Sequence, residues 1–308
     1  YHQVLEQSVN KHFSDSSIIN CMSQNTNVYY QLAHSNITRN SQDYFPDNEK
    51  SQPKHVIINA YNNPWCGQFA HPDWDMFQTD HPWGEYQAGS RAISGSPVYF
   101  ADEYQTINEE LIKKIALPNG ELLRCRDLAL PCRENMFENP ASPGRALKIF
   151  NHNAHNAVLG IFNVMLKDKT TVTYSPSDVE GLERSREYIL YQYEKGIPRK
   201  MKHEDQSEIT LKVREFVIFT VSKISNGFAT IGMMDKFNPG GIIEEMDMTD
   251  SKIRLMVKHG GKLGFYMEEK PIEIICDKEQ VSFEFDEKHK LLSFMTDSYS
   301  YQEITINR

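Results

Sequence analysis

The chain is poor in several things, and each shortage removes a class of function. No window holds 18 consecutive apolar residues, so nothing in it reads as a membrane-spanning helix. Cations are not grouped, and 33 Lys and Arg against 42 Asp and Glu leave a formal charge of -9. That argues against a nucleic-acid surface, where phosphate contacts need clustered basic residues. Five cysteines (Cys21, Cys66, Cys125, Cys132, Cys276), an odd number with no C-x-x-C pair, speak against a disulfide framework or a zinc ribbon. Cys21 lies in an apolar run and is expected to be buried and reduced. The Gly-x-Gly-x-x-Gly fingerprint and the phosphate loop are missing, so no nucleotide site is indicated. No Ser stands in a G-x-S-x-G context. An initiator Met and a signal peptide are missing too: the sequence opens at Tyr1 in YHQVLEQSVNKHF, which reads as a helix already under way.

What is present describes an ordered chain. Its 308 residues, 39% hydrophobic and 11% aromatic, suffice for two domains. Charge is unevenly spread. Residues 1–110 carry 3 Lys and 2 Arg against 13 acids, a net of -8, whereas residues 111–308 are nearly balanced at -1. All three tryptophans, Trp65, Trp74 and Trp83, also fall in the first part, within 19 residues. An acidic segment rich in Trp suits a neutral polar ligand better than an anion; the same acidity reads equally as a solubility feature.

Two grammars follow one another. In the first, Val4, Leu5 and Val9 repeat at helical spacing, and SIINCM (17–22) and HSNITRNS (34–41) are strand-sized. The run 55–70 predicts a helix interrupted by Pro64; PDWDMF (72–77) predicts a strand; 83–94 predicts a helix stopped by Gly95 and Pro97; PVYFAD (97–102) predicts another strand, and 107–116 a last helix. Strands alternating with helices mean an α/β unit with parallel strands. After Pro118 come short, often alternating apolar runs separated by turns, from ALKIF to QEITIN, which predict an all-β sandwich or barrel. Gly260-Gly261 predicts a hairpin, and DEKHK a second turn between strands. The expected division is an α/β unit over 1–116 and a β unit over 117–308.

In a parallel α/β barrel the functional groups sit at the carboxyl ends of strands. That rule selects Cys21–Asn25, Arg39–Tyr44, Asp73–Asp75 and Ala101–Asp102. Carboxylates with aromatics beside them fit sugar chemistry, in which one acid protonates the leaving oxygen and a second carboxylate faces the anomeric carbon. Trp rings such as Trp65 and Trp74 suit the apolar face of a pyranose. Asp43 with Asp73 or Asp75 is the pair a local reading selects. Each residue has a plainer reading as well: Asp73 or Asp102 as a cap, Trp74 as core, Arg39 as the ion-pair partner of Asp43 four residues on. His152 and His155 in NHNAHN lack a supporting acid and read as solvated loop residues, not metal ligands.

The stretch 58–102, INAYNNPWCGQFAHPDWDMFQTDHPWGEYQAGSRAISGSPVYFAD, resembles the signature region of the raffinose synthase and seed-imbibition α-galactosidase-like family, grouped with glycoside hydrolase family 36. INCMSQNT, DLALPCRENMFENP, LKIFNHN, SPSDVEGL and ATIGMMDKFNPGG resemble further parts of that family in order, so the likeness covers essentially the whole chain. It implies a retaining enzyme acting on terminal α-galactosides, built on a (β/α)8 barrel followed by a β-sandwich. The family's general acid/base is an Asp in an R-x-S-x-D loop; here Arg39-Asn40-Ser41-Gln42-Asp43 gives that role to Asp43. Arg39, Trp65, Asp73, Trp74, Asp75 and Asp102 are implied to bind substrate or support the pocket. No cofactor or metal is implied, and the expected partner is a galactoside or oligosaccharide, with neither nucleic acid nor membrane.

The family's nucleophile is an Asp in a K-x-D motif at the end of the fourth barrel strand, and no such motif stands at the corresponding place here. The chain is therefore expected to hold barrel strands five to eight plus the sandwich, and to be inactive alone. Gln42 replaces an acid common in plant members, Gly95-Ser96-Pro97 replaces Gly-Gly-Pro, and NVMLKDKT (163–170) replaces a glycine-rich turn. The last two departures point to a bacterial or distant member and weaken raffinose synthesis in particular, which leaves hydrolysis as the expected reaction. The alternatives are galactosyl transfer of the raffinose synthase type and a noncatalytic carbohydrate-binding or structural protein.

Overall fold

Parallel strands cannot be joined by tight turns, so each pair needs a crossover, and the first hundred residues supply them. The computed structural model describes residues 1–308 apart from 16 and 194. Helix α1 (His2–His12) leads to β1 (Ile19–Asn20); α2 (Thr26–Tyr29) and β2 (Ile37–Arg39) follow, then α3 (Ser51–Cys66), β3 (His71–Asp73), α4 (Gly84–Ala92) and α5 (Glu109–Lys113). The strands pair in the order β1-β2-β3, all parallel, with Ile19 opposite Ile37 and Arg39 opposite Asp73. A single parallel bridge, Phe77 to Phe100, carries the order one step further.

Several local expectations need correction. PVYFAD contributes only that bridge, because Pro97 has no N–H to give and only Ala101 N donates back, to Phe77 O at 2.9 Å. PDWDMF leaves the strand after Asp73, and the backbone turns left-handed at Asp75, whose φ is +64°. Helix α3 runs through Pro64 without interruption; the proline sits in the last turn, so only the bond to the Ala60 carbonyl is forgone and the helix ends two residues later. On α1 the apolar face is not the buried one. Val4 and Leu5 are 68% and 51% exposed, while Glu6 is buried. Its carboxylate accepts from Ala33 N at 3.1 Å, from Ser35 N at 3.0 Å and from Ser35 Oγ, which fastens the helix to the turn before β2. Cys21 is exposed, since the chain turns outward where β1 ends; the other four cysteines are buried and free.

The remainder is antiparallel. Strands β4 (Leu130–Pro131), β5 (Leu147–His152), β6 (Ala157–Phe162), β7 (Thr170–Tyr174), β8 (Glu187–Gln192), β9 (Pro198–Lys202), β10 (Ser207–Leu211) and β11 (Phe216–Lys223) come first. Six of them form a sheet in the order β4-β5-β6-β11-β8-β9, and β10 pairs with β7. Then follow β12 (Phe228–Met233), β13 (Ile243–Met248), β14 (Lys252–Val257), β15 (Lys262–Met267), β16 (Glu273–Cys276), β17 (Glu279–Val281), β18 (Phe283–Asp286), β19 (Leu291–Met295) and β20 (Gln302–Asn307). They make a four-stranded sheet, β12-β15-β19-β18, and a five-stranded sheet, β13-β14-β20-β16-β17. These two share a core in which Phe265, Leu292 and Phe294 meet Ile253, Leu255, Ile304 and Ile306.

Gly260-Gly261 does not make a hairpin. Strand β14 pairs with β13 and β20, whereas β15 pairs with β12 and β19, so the glycines carry the chain between sheets. Gly260 N donates to Ser298 O at 2.7 Å, and a Cβ at Gly260 would press on the Ser298 backbone. The DEKHK turn does join paired strands, β18 and β19.

One apolar core joins the parallel segment to the six-stranded sheet. Trp74, Phe77, Trp83 and Tyr86 pack with Leu147, Ile149, Val158, Phe162 and Ile218, all buried. Close approach depends on two glycines: a Cβ on Gly89 of α4 would overlap the Phe216 ring, and one on Gly160 of β6 would overlap Ile93. Among the described residues no helix is long and apolar enough to cross a membrane.

Candidate functional site

The parallel register fixes the centre of the site. Because Arg39 and Asp73 are partners at the carboxyl ends of β2 and β3, their side chains share one edge. The Arg39 guanidinium is buried and meets three carboxylates: Asp43 Oδ1 at 3.0 Å, Asp75 Oδ1 at 2.8 Å and Asp73 Oδ2 at 3.4 Å. Asp73 and Asp75 are fully buried, whereas the Asp43 side chain is 53% exposed. Asp43 is thus the one carboxylate of the three that faces solvent, backed by a buried cation.

The supports are backbone-directed. Asp73 Oδ1 accepts from Asp75 N at 3.0 Å and its Oδ2 accepts from the Tyr99 hydroxyl at 2.7 Å. Asp75 Oδ2 accepts from Tyr44 N at 2.6 Å and its Oδ1 from Met76 N at 2.8 Å. Arg91, buried on α4, donates through Nε to Asp75 O and through Nη2 to Trp74 O and Met76 O. Those three consecutive carbonyls hold the left-handed Asp75 in place. The Arg39 carbonyl and that of Ser41 both accept from Gln24 Nε2.

The loop after β2 is stapled to α3. Asn40 Nδ2 donates to Asn59 O and Asn63 Oδ1, both at 2.7 Å, and Asn62 Nδ2 donates to Asn40 O at 2.6 Å. His55 Nε2 lies 2.7 Å from Ser41 Oγ and 3.1 Å from Gln42 O, while Arg91 Nη2 approaches its Nδ1 at 3.4 Å. A carbonyl accepts only, so Nε2 carries the ring proton and Nδ1 receives Arg91.

Electrostatics follow from burial and pairing. Burial pushes the Asp75 carboxyl up, opposed by the Met76 N–H, Arg39 and the Tyr44 N–H. Burial works to lower Arg39, but Asp75, Tyr99, Cys21 and Asp73 outweigh it, so its pKa is raised. Burial, followed by the charge of Arg91, drives His55 down to about 3, and the ring is neutral. Arg91 is lowered by burial to about 10 and stays charged. Burial first, then Asp73, raises the Tyr99 hydroxyl, which keeps it a donor.

Of the residues singled out in the sequence, Arg39, Asp43, Asp73 and Asp75 come together. Trp74 does not offer a ring to a ligand: it is fully buried, with Nε1 donating to Asn63 Oδ1 at 2.9 Å. Trp65 stands apart. It is exposed in the last turn of α3, edge-on to Phe69, and ten residues of helix beyond His55 put it about 15 Å along the axis. Asp102 does not cap the last helix, whose cap is Asn108; its Oδ1 accepts from Thr79 N, Thr79 Oγ1 and Asp80 N and ties down the turn before α4. Sequence reasoning missed His55, Arg91 and Tyr99, and took in Gln24 only as part of Cys21–Asn25. Only Arg91 had a signal, in the RAISG run, and nothing there predicted a grip on backbone carbonyls. His152 and His155 bond instead to the carbonyls of Glu180 and Glu244. Among the described residues no group of three or more His, Cys, Asp or Glu is placed to hold a metal ion.

A family model described as "Raffinose synthase or seed imbibition protein Sip1" matches residues 1–170 and 166–296. A protein of Arabidopsis thaliana named as a probable galactinol–sucrose galactosyltransferase 6 is 34% identical over 96% of this chain and 44% of its own length. The galactinol–sucrose galactosyltransferase of Pisum sativum is 32% identical over 95% of this chain and 42% of its own. The chain thus spans less than half the length of these curated relatives. Among solved structures, a β-L-arabinopyranosidase of Geobacillus stearothermophilus aligns with 65% of this chain and 47% of its own at 16% identity, with a TM-score of 0.48.

Proposed function

The chain belongs to the raffinose synthase or seed imbibition protein family, and on that premise we propose that it carries the acid/base side of a site that moves α-galactosyl groups. Asp43 would protonate the glycosidic oxygen as the bond to the sugar breaks, then take the proton from the incoming hydroxyl. The observation that carries this reading is the exposed Asp43 carboxylate held 3.0 Å from the buried Arg39 guanidinium at the carboxyl end of a parallel strand. Asp73 and Asp75 are buried behind Arg39 and serve as its braces, so we assign neither as the nucleophile. We read β1, β2, β3 and the Phe100 bridge as strands five to eight of a (β/α)8 barrel, with residues 1–116 belonging to it and 117–308 forming a β-sandwich unit.

The acceptor in this reading is a sugar hydroxyl, with galactinol as donor and sucrose as acceptor, because the relatives reported above are named for that transfer. Water as acceptor is the second reading, favoured by Ser96 and by residues 163–170, where the family commonly has other residues. Product analysis with galactinol in the presence and absence of sucrose separates the two: a new trisaccharide supports transfer, and free galactose alone supports hydrolysis. In the catalytically active protein, Asp43→Asn should lower turnover of an unactivated galactoside by about 100- to 10,000-fold. Undiminished turnover by that variant refutes the assignment.

A further inference from the structure

The residue in the reacting position is the least restrained member of its loop. Asn40 is tied to α3 by three hydrogen bonds, but among the described residues the Asp43 carboxylate has one partner, Arg39. Between them lie Ser41 and Gln42, and a single side chain contacts both: His55, through Ser41 Oγ at 2.7 Å and Gln42 O at 3.1 Å. His55 is buried, one helical turn into α3, and its other nitrogen is taken by Arg91 at 3.4 Å. Arg91 is in turn fixed to Asp75 O, Trp74 O and Met76 O. An unbroken set of contacts therefore runs from the end of β3, through α4 and α3, to the residue that immediately precedes Asp43.

We propose that His55 is a positioning residue, whose neutral ring, with its proton on Nε2, holds Ser41 and Gln42 so that Asp43 presents its carboxyl to the glycosidic oxygen. The ring never meets substrate. It passes no proton, because Arg91 occupies Nδ1 as a donor and the Gln42 carbonyl can only accept. Its contribution is geometric: displacing an acid by about an ångström from its productive place costs on the order of 100-fold in rate. The inference rests on Asp43 being the acid/base, and the test is arranged so that the two can fail separately.

That test compares kcat/KM for two substrates of the catalytically active protein. Methyl α-galactoside has a poor leaving group and needs the acid; 2,4-dinitrophenyl α-galactoside leaves without protonation. Asp43→Asn should lower kcat/KM for the methyl glycoside far more than for the aryl one. His55→Ala should show the same split, with a loss of about 10- to 100-fold on the methyl glycoside and little on the aryl one. His55→Gln, whose amide still donates to Gln42 O, should recover most of it. Ser41→Ala, which cuts the other end of the shortest bond, should show a smaller split and serves if His55→Ala fails to fold. Equal losses on both substrates, or no loss, in His55→Ala and Ser41→Ala while Asp43→Asn keeps its split overturns the role of His55. If Asp43→Asn shows no split, the acid/base assignment falls and the inference falls with it.

Discussion

Arg39 and Asp73 are register partners on adjacent parallel strands, and their side chains meet at 3.4 Å on the edge where both strands end. The same guanidinium is 2.8 Å from Asp75. Two buried carboxylates therefore depend on one buried cation. Arg39→Met should destabilise the fold by about 3–5 kcal/mol, the cost of leaving buried charge without its partner. Urea denaturation of the two forms checks this, with the shift read at the midpoint. A variant within experimental error of the parent would mean that the two buried carboxylates do not need the arginine.

Asp75 holds a left-handed backbone, which a residue with a short polar side chain tolerates better than most. Asp75→Asn keeps that tolerance while removing charge; Asp75→Ala keeps neither the acceptors for Tyr44 N and Met76 N nor the polar side chain. The Ala form should be the less stable of the two, by roughly 1–3 kcal/mol. Thermal or chemical unfolding of the pair decides, and the reverse order would show that neither the acceptor oxygen nor the tolerance of the left-handed backbone is what Asp75 contributes.

Gly89 lets α4 lie against Phe216 of the six-stranded sheet. Adding a methyl group there forces the ring aside, so Gly89→Ala should cost about 1–3 kcal/mol although it improves helix propensity. Phe216→Leu in the Gly89→Ala background should return part of that loss. Additive penalties in the double variant would show that the two sites do not touch.

His55 makes a prediction about acid. Its pKa falls from 6.5 to about 3 on folding, first through burial and then through Arg91. Between those values the unfolded chain binds a proton that the folded chain refuses, so stability is lost as the pH drops from about 6.5 toward 3. His55→Gln should be less stable near neutrality and yet lose less between these limits. Denaturant midpoints measured across that range test the slope, and parallel curves for parent and variant would remove His55 from the acid response.

Much of this architecture is legible in the residues, and the exceptions share causes. Alternating or wholly apolar runs such as AVLGIF and FVIFTVSK could be read as strands because burial on both faces leaves no other use for them. The strands that escaped notice, β4, β9 and β13, lie at sheet edges, where Pro131 or the charges of PRKMK and IEEMDM are tolerated and blur the period. At the site, Arg39, Asp43, Asp73 and Asp75 could be found from strand ends. Their arrangement could not, since it follows from the one-residue register between β2 and β3. Trp74 shows the opposite limit. A ring beside two acids invites a sugar, but alternation across the end of β3 turned it inward to Asn63.

The core shared by α4 and the six-stranded sheet has a consequence for inheritance. The inner face of that sheet, with Leu147, Ile149, Val158, Phe162 and Ile218, is finished by Trp83, Tyr86 and their neighbours and not by a second sheet. Such a face cannot be exchanged between proteins as a self-contained block, because cutting it loose would leave the greasy side wet. A side chain larger than glycine at position 89 therefore needs a smaller one than phenylalanine at position 216, although the two are distant in sequence.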